Sequence, residues 1–289
     1  MTRRAPRSRT GRSRRSGSHA RRPGPPLRHR VRRALPAPGR IAATMLAVAL
    51  VGGLVALVSG PWLRVARVAW AGERFTPPSQ LQRALAPLDG SALLLVNAEA
   101  TAARLERLPA VAEARVEAQL PNAVKVTIVE KRAAFVWQTS AVQLVGAADG
   151  TLIGQLALHS KLPGDLSALP FVDDRRSTSR DMIVGDDLDP TALAAALRLA
   201  AVDPAALGST APHLDLRITD ADGFLLVSRT AGWQADFGFY PASEEADAQA
   251  LQERIDAQVT AVRTLFSIHP EEGVSWVDAR DPGRVYWRP

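Results

Sequence analysis

The sequence contains no cysteine and little that could hold a metal or a cofactor. Without cysteine the chain forms no disulfide, and it offers neither a thiol nucleophile nor a thiolate ligand for zinc. No histidine has a second ligand at metal-binding spacing; the five stand apart at His19, His29, His159, His213 and His269. We therefore predict no metal site and no cofactor, and we expect stability to come from packed apolar cores.

Sequence patterns of catalysis are also missing: there is no nucleophile elbow, no glycine-rich phosphate loop and no dinucleotide fingerprint. Asp220–Gly223 resembles part of a calcium loop, but Arg229 stands where the final acid of that loop is required, which favours a hairpin turn. A second acidic cluster has the composition of an exposed loop and comprises Asp181, Asp186, Asp187 and Asp189. We predict that the chain is not an enzyme, although a convergent site needs no motif.

Acidic residues are absent from the first forty positions, where fourteen arginines stand. A tail of Arg, Ser, Gly and Pro buries no core, so residues 1–40 are predicted to be disordered. The rest of the chain has 22 basic and 29 acidic side chains, a net charge of −7, so the basic excess belongs to the tail alone. The arginines are expected to set membrane topology and to attract anionic lipid. Nucleic-acid binding is the weaker alternative, because the tail has no aromatic residues for stacking.

Only one apolar run reaches membrane length. It extends from Ile41 to Ser59 without a charge, and these 19 residues in a helix nearly match the hydrocarbon thickness of a bilayer. We predict a transmembrane helix at residues 41–60, with the basic tail in the cytoplasm and everything after Pro61 outside. A cleaved signal peptide is the alternative, although its apolar stretch is usually shorter. Small residues inside the run also leave room for pairing with another membrane helix.

Residues 63–132 have the pattern of a small β-α-α-β-β domain. Val68 and Trp70 face one side of an opening strand. Thr76 is predicted to cap a first helix, and a second helix is predicted from Ala98 to Leu108. Two runs of alternating apolar residues then predict a hairpin. The apolar members are Ala112, Ala114, Val116, Ala118 and Leu120 in the first run, and Val124, Val126 and Ile128 in the second.

Residues 133–289 are rich in short strand signals and predict a mixed antiparallel β domain with helices, so the whole chain is α+β. Strands are indicated around the Asp149–Gly150 turn. Leu169–Val172 is predicted to be a strand edge, followed by an exposed loop from Asp173 to Asp189. Trp276–Ala279 and Arg284–Trp287 are predicted as the closing strands.

Two helices are predicted within this second block. The first runs from Pro190 to about Ala201, and the second starts at Glu244. The second helix has an apolar stripe made of Leu251, Ile255, Val259, Val262 and Phe266. Such a stripe predicts a helix that covers one face of a sheet.

Several stretches resemble the FtsQ/DivIB family of bacterial cell-division proteins, and the β-α-α-β-β order resembles a POTRA domain. The matching stretches are Val68–Gly72, Leu105–Val116, Leu120–Asn122, Val126–Arg132, Val277–Arg280 and Asp281–Trp287. The chain departs from the family pattern at Ala110, where an aromatic is usual, and at Ala133, where proline is usual. These changes reduce local packing and loop rigidity but leave the hairpin alternation intact.

The resemblance implies a non-enzymatic scaffold of the divisome, held in the inner (plasma) membrane at the division septum. Family members use the last part of the distal β domain to bind the outer segments of two coiled-coil division proteins, FtsB and FtsL, and so link them to septal peptidoglycan synthesis. Carried over to this chain, the partner-binding residues are Arg280, Asp281, Gly283, Arg284, Val285, Tyr286 and Trp287. The POTRA domain and the membrane helix would contact other divisome proteins.

A terminal strand at a sheet edge suits this role, because an added strand satisfies its unpaired N–H and C=O groups. Neighbouring side chains of a strand face opposite sides, so one of Tyr286 and Trp287 should point inward and the other outward. The alternative is that Val285 and Trp287 only fill the core.

Two other classes of protein remain open. A POTRA-bearing component of an envelope export or assembly system would need long alternating strands with lipid-facing aromatic girdles, which the sequence lacks. A membrane-anchored envelope hydrolase would need a catalytic pair, and none is visible in the sequence.

Overall fold

The computed structural model describes residues 38–240 and 248–289. The helices of this part are α1 (Pro38–Ser59), α2 (Pro78–Leu85), α3 (Ala98–Leu105), α4 (Pro190–Ala200) and α5 (Ala248–Ile268). The strands are β1 (Arg67–Ala71), β2 (Val111–Gln119), β3 (Ala123–Glu130), β4 (Ala133–Gln138), β5 (Gln143–Ala147), β6 (Leu152–Leu156), β7 (Phe171–Asp174), β8 (Asp215–Thr219), β9 (Gly223–Val227), β10 (Gln234–Gly238), β11 (Trp276–Asp278) and β12 (Tyr286–Arg288). The predicted α+β class is confirmed, and these strands form two sheets within the unit Gly53–Pro289.

Helix α1 contains the apolar run and begins at Pro38, three residues before the predicted start at Ile41. Its large apolar side chains from Ile41 to Val55 are exposed; Met45 and Val48, for example, are 68% and 67% exposed. In the part of the chain that the structure describes, no helix is long and apolar enough to cross a membrane. The transmembrane helix at residues 41–60 therefore stays a prediction. Residues 1–37 of the basic tail lie outside the described residues.

A three-stranded sheet follows, in the order β1-β3-β2, with β1 parallel and β2 antiparallel to β3. Helices α2 and α3 supply its core together with the inner face of the sheet. The buried members of this core include Leu81, Leu85, Leu105, Val116, Val126 and Ile128. Val68 and Trp70 are half-buried against the core, as their shared face predicts. The predicted β-α-α-β-β order is confirmed.

Three local predictions in this block are wrong. Helix α2 is preceded by Pro77 and is not capped by Thr76, whose amide donates instead to the carboxylate of Glu130. Helix α3 ends at Leu105, three residues before the predicted end.

The third error concerns strand β2. A bulge at Val111–Glu113 shifts the alternation, so Val111 is buried and Ala112 is exposed. At the other end of the strand Ala118 and Leu120 are exposed as well. The buried residues of the strand are therefore Val111, Ala114 and Val116.

The second sheet has nine strands in the order β12-β11-β10-β9-β8-β7-β4-β5-β6. Most pairs are antiparallel, but β4–β7, β7–β8 and β10–β11 are parallel. Helices α4 and α5 cover one face of it. The core beneath them includes Phe135, Trp137, Leu193, Leu199, Phe237, Ile255 and Phe266. The predicted hairpins around Asp149–Gly150 and Asp220–Asp222 are confirmed as β5–β6 and β8–β9.

The predicted stripe of α5 is also confirmed. Ile255, Val262 and Phe266 are buried, and Leu251 and Val259 are half-buried against the same core. The predicted start at Glu244 lies outside the described residues. Helix α4 matches its prediction closely, and Asp189 caps it by accepting a hydrogen bond from the amide of Ala192.

The prediction for residues 169–189 is wrong at its start. Strand β7 is not an edge; it lies in the middle of the sheet between β4 and β8, and Asp173 and Asp174 are buried. Asp174 tolerates burial because its carboxylate accepts hydrogen bonds from the indole of Trp137 at 3.0 Å and from the guanidinium of Arg176 at 2.7 Å. The acidic composition suggested a solvated loop, but the neighbouring Arg176 neutralises the charge of Asp174 and the distant Trp137 adds a hydrogen bond inside the fold.

The two sheets are joined by the loop after β1. The carboxylate of Glu130, the last residue of β3, accepts hydrogen bonds from the amides of Arg74, Phe75 and Thr76 at 2.8–2.9 Å. This holds Phe75 against the second sheet, where a side chain on Gly154 would collide with its ring. Arg74 pairs with Asp165 of the second block. Glu130 therefore fixes the contact between the sheets.

We expect Glu130→Ala to lower the free energy of unfolding by about 2–4 kcal/mol, because two partly buried amides and one exposed amide lose a charged acceptor. Urea unfolding followed by tryptophan fluorescence measures this. Glu113→Ala is the matched control, since its carboxylate is 61% exposed and faces only Arg115; it should change stability by less than about 0.5 kcal/mol. Equal stability of the two variants would contradict the role assigned to Glu130.

Candidate functional site at the C-terminal sheet edge

Strand β12 forms one edge of the nine-stranded sheet. It pairs antiparallel with β11, placing Trp287 opposite Val277 and Tyr286 opposite Asp278. Among the described residues no strand pairs with its other side. The strand begins two residues after the predicted start at Arg284, because a turn closed by the Arg284 amide and the Asp281 carbonyl at 3.1 Å comes first. Gly283 allows this turn with a φ of +81°.

Tyr286 and Trp287 point to opposite faces of the sheet, as predicted. Trp287 lies on the helix side, where its ring centre is 4.3 Å from that of His269. It is nevertheless 37% exposed, because α5 ends at Ile268 and leaves the ring uncovered. Tyr286 is 60% exposed on the other face. Val285 is half-buried against the core, so only this residue fits the alternative of core filling.

A polar concavity lies on the Tyr286 face of the edge. It measures about 290 Å³ and is lined by Asp278, Arg280, Asp281, Arg284 and Tyr286. Four of the seven predicted residues therefore meet at one place. The guanidinium of Arg280 donates two hydrogen bonds to the carboxylate of Asp278, which holds Arg280 in the concavity. This contact lowers the pKa of Asp278 and raises the pKa of Arg280.

Asp236 lies next to this pair and is almost completely buried. One of its carboxylate oxygens accepts a hydrogen bond from the indole of Trp276 at 2.9 Å, and burial raises its pKa. Trp276 is covered on its exposed side by the guanidinium of Arg288, 4.7 Å from the ring centre. Charged and aromatic groups thus alternate across the end of the sheet.

An apolar groove lies between α5 and the segment that leads into β12. It measures about 630 Å³, with Gly283 and Val285 on one side. The α5 side is made of Asp256, Ala257, Thr260, Ala261, Thr264, Leu265 and Ile268. Ile268 is 67% exposed. This wall was not predicted from the sequence. The available signal for it was a second stripe of small residues on α5, outside the core stripe.

Gln258 fixes α5 against the sheet end. Its side chain is fully buried, and its amide donates to the backbone carbonyls of Phe237 at 2.9 Å and Ala279 at 2.8 Å. Its carbonyl accepts the hydroxyl hydrogen of Tyr240 at 2.7 Å. Because both polar atoms of the Gln258 side chain are hydrogen-bonded, α5 is held firmly against this end of the sheet.

Glu271 fixes the segment between α5 and β11. It is 5% exposed and accepts hydrogen bonds from the hydroxyl of Ser209 at 2.5 Å, the amide of Thr210 at 2.7 Å and the indole of Trp233 at 2.9 Å. Burial alone would raise its pKa, but these donors outweigh it and lower the pKa to about 2.

Three residues of the two acidic clusters named from the sequence serve local structure. Asp189 caps α4, and Asp186 accepts from the amide of Ile183 at 2.9 Å. Asp222 accepts from the hydroxyl of Thr219 in the β8–β9 turn. In residues 38–240 and 248–289, no three His, Asp or Glu side chains are placed to hold a metal ion.

The small three-stranded domain defines the class of protein. Residues 63–131 match the FtsQ-type POTRA domain family. The chain is 31% identical over 231 residues to the cell division protein FtsQ of Chloroflexus aurantiacus, covering 79% of this chain and 76% of the relative. It is 31% identical over 170 residues to FtsQ of Chloroflexus aggregans, covering 59% and 60%.

This chain belongs to the FtsQ/DivIB family of bacterial cell-division proteins. The family comprises non-enzymatic division scaffolds, so the chain has a role in the divisome. Membership also favours cell division over the export component and the hydrolase considered from the sequence.

We expect Glu271→Gln to lower the free energy of unfolding by about 3 kcal/mol at neutral pH. The folded-state pKa is about 2 against an ordinary 4.5, so the carboxylate stabilises the fold fully above pH 4.5 and loses this contribution as the pH falls toward 2. Urea unfolding at several pH values should show the difference between the variant and wild type shrinking below pH 4.5. Exposed Glu272, changed to Gln, should show no such pH-dependent difference; a constant difference for Glu271→Gln would contradict the assignment.

Proposed function

We propose that this chain is a non-enzymatic divisome scaffold whose C-terminal sheet edge binds the outer segments of FtsB-like and FtsL-like coiled-coil proteins. Through them it would be linked to septal peptidoglycan synthesis. The observation that supports this most is the unpaired side of β12, which lies between an apolar groove and a charged concavity.

Strand addition is the recognition mode that fits this edge. An incoming strand beside Tyr286–Arg288 would satisfy backbone groups that no described strand satisfies. Main-chain hydrogen bonds give little selectivity by themselves, so side-chain sites must supply it. The two faces of the edge offer different sites, apolar on the α5 side and charged on the Tyr286 side.

The apolar groove suits large apolar side chains of the partner, because its α5 wall consists mostly of small residues that leave room. The charged concavity suits an acidic partner side chain. Arg280 is already paired with Asp278, whereas Arg284 is exposed and lines the same concavity without a carboxylate partner in the described residues. We therefore assign to Arg284 the main contact with an acidic group of the partner. Arg280 would bind the same group while it remains paired with Asp278.

Membrane anchoring is part of the proposal. Residues 41–60 would form a single transmembrane helix, with the basic tail of residues 1–40 in the cytoplasm and the chain located at the division septum. Support comes from the uncharged run Ile41–Ser59, its helical conformation, and the exposure of its large apolar side chains. Outside the membrane we propose a POTRA domain at 63–132, which would contact other division proteins, and a distal β domain at 133–289.

We expect Ile268→Asp to weaken binding of candidate FtsB and FtsL outer segments by at least about tenfold, because a charge in the groove opposes apolar contact. Isothermal titration of the purified protein measures the change. The matched control is Ile183→Asp, on a different surface and similarly exposed at 61%, which should change affinity by less than about twofold. Equal effects of the two variants would remove the groove from the interface.

We expect truncation before Arg284 to abolish this binding, because the truncated chain lacks β12. The single variants Tyr286→Ala and Trp287→Ala should weaken it to a lesser degree, since backbone pairing remains. Circular dichroism and thermal unfolding must show that the truncated protein still folds. Undiminished binding by a folded truncation would overturn the terminal-strand assignment.

A further inference from the structure

Four large apolar side chains are exposed at one end of the three-stranded sheet. Trp62 is 75% exposed, Leu94 53%, Leu95 78% and Leu120 73%. Leu93, next in sequence, is only 1% exposed and serves the core. The packing of the domain therefore explains Leu93 but gives no role to the other four, which we call the Trp62 patch.

Backbone contacts bring the patch together from three segments. An antiparallel bridge joins Arg64 to Ala92, and the amide of Val65 donates to the carbonyl of Ser91 at 2.9 Å. This places the 3-10 helices Pro61–Leu63 and Leu93–Leu95 at the same end of the domain. The turn after Leu120 joins them there, because the carbonyl of Asn122 accepts from the amide of Ala66 at 2.9 Å.

The patch is tied closely to the apolar run. Trp62 follows Ser59 by three residues, which span at most about 11 Å when fully extended. A chain anchored through residues 41–60 therefore holds the patch near the surface of the bilayer. Tryptophan favours the membrane–water interface, and the exposed Arg64 beside the patch suits anionic head groups.

We propose that the Trp62 patch is a second membrane contact, seated in the interfacial region of the lipid bilayer and holding the POTRA domain at a fixed orientation to the membrane. The proposal rests on the membrane anchoring proposed above. Lipid is the favoured occupant because the tether brings the patch to it in every molecule, and because four side chains form a smaller surface than a stable protein interface needs.

The absence of cysteine allows a direct test. Single cysteines are introduced into the full chain as Leu95→Cys or Leu120→Cys, labelled with an environment-sensitive fluorophore, and reconstituted into vesicles of phosphatidylcholine and phosphatidylglycerol. Matched controls are Val129→Cys, 52% exposed near the opposite end of strand β3, and Ile183→Cys, 61% exposed in the second block. Flotation of the vesicles after alkaline washing reports anchoring separately.

We expect the labels at 95 and 120 to shift to shorter wavelength and to be quenched by head-group nitroxide lipid at least about twofold more than those at 129 and 183. The double change Leu94→Asp with Leu95→Asp should reduce quenching at 120 while the protein still floats with the vesicles.

Four results would overturn the inference. If the protein floats but the label at 95 is quenched no more than the label at 129, the patch does not contact the membrane. Equal quenching at all four positions indicates that the protein adsorbs to the vesicles without a preferred face. If the label at 95 becomes protected only when another division protein is added, the patch binds that protein and not lipid. Protein that does not float removes the anchoring proposal, and this inference with it.

Discussion

The carboxylate of Glu130 is the interaction on which the arrangement of the two sheets depends. It binds three consecutive amides and so holds the loop that carries Arg74 and Phe75 into the second sheet. Surface ion pairs such as Arg74–Asp165 contribute little by themselves, since both groups are about half exposed. The ring of Phe75 packs closely against Gly154, and this packing requires the loop to stay in place. The single charge of Glu130 thus positions the contacts of Arg74 and Phe75, which are individually weak.

The C-terminal edge depends on a comparable arrangement of buried polar groups. Gln258 ties α5 to the ends of β10 and β11, and Glu271 ties the following segment to Trp233. Both side chains have their hydrogen-bonding groups satisfied, so they fix positions and do not offer themselves to a ligand. What remains for a partner is the outer side of β12, the small-residue face of α5, and the charged concavity beside Tyr286. Under the proposed function these surfaces would contact the partner, and the buried polar groups beneath them would hold that contact surface rigid.

Much of the fold could be predicted because its signals are local. The alternation in β2 and β3 and the stripe of α5 each express the period of one element, and both sheets contain the strands that these patterns indicate. Some errors occur where residues distant in sequence decide the outcome. The amide of Thr76 binds Glu130, 54 positions away, and no local pattern indicates this contact. Asp173 and Asp174 lie in a strand because β7 pairs with β4 and β8, where the indole of Trp137 and the guanidinium of Arg217 reach their carboxylates. For the site, the seven predicted residues do lie at the edge, but the wall of the groove on α5 was not predicted, since its only signal in the sequence is a stripe of small residues without a chemical signature.

The length of β12 has a consequence of its own. A strand of three residues offers few free backbone groups, so copies of this chain gain little by pairing edge to edge. The same brevity means that an arbitrary extended peptide also gains little there. Under the proposed function, a partner would have to bring a short strand, an apolar side chain for the groove and a charge for the concavity in one segment. The three-residue length of β12 would then limit association between copies of the chain and favour a segment that meets all three requirements.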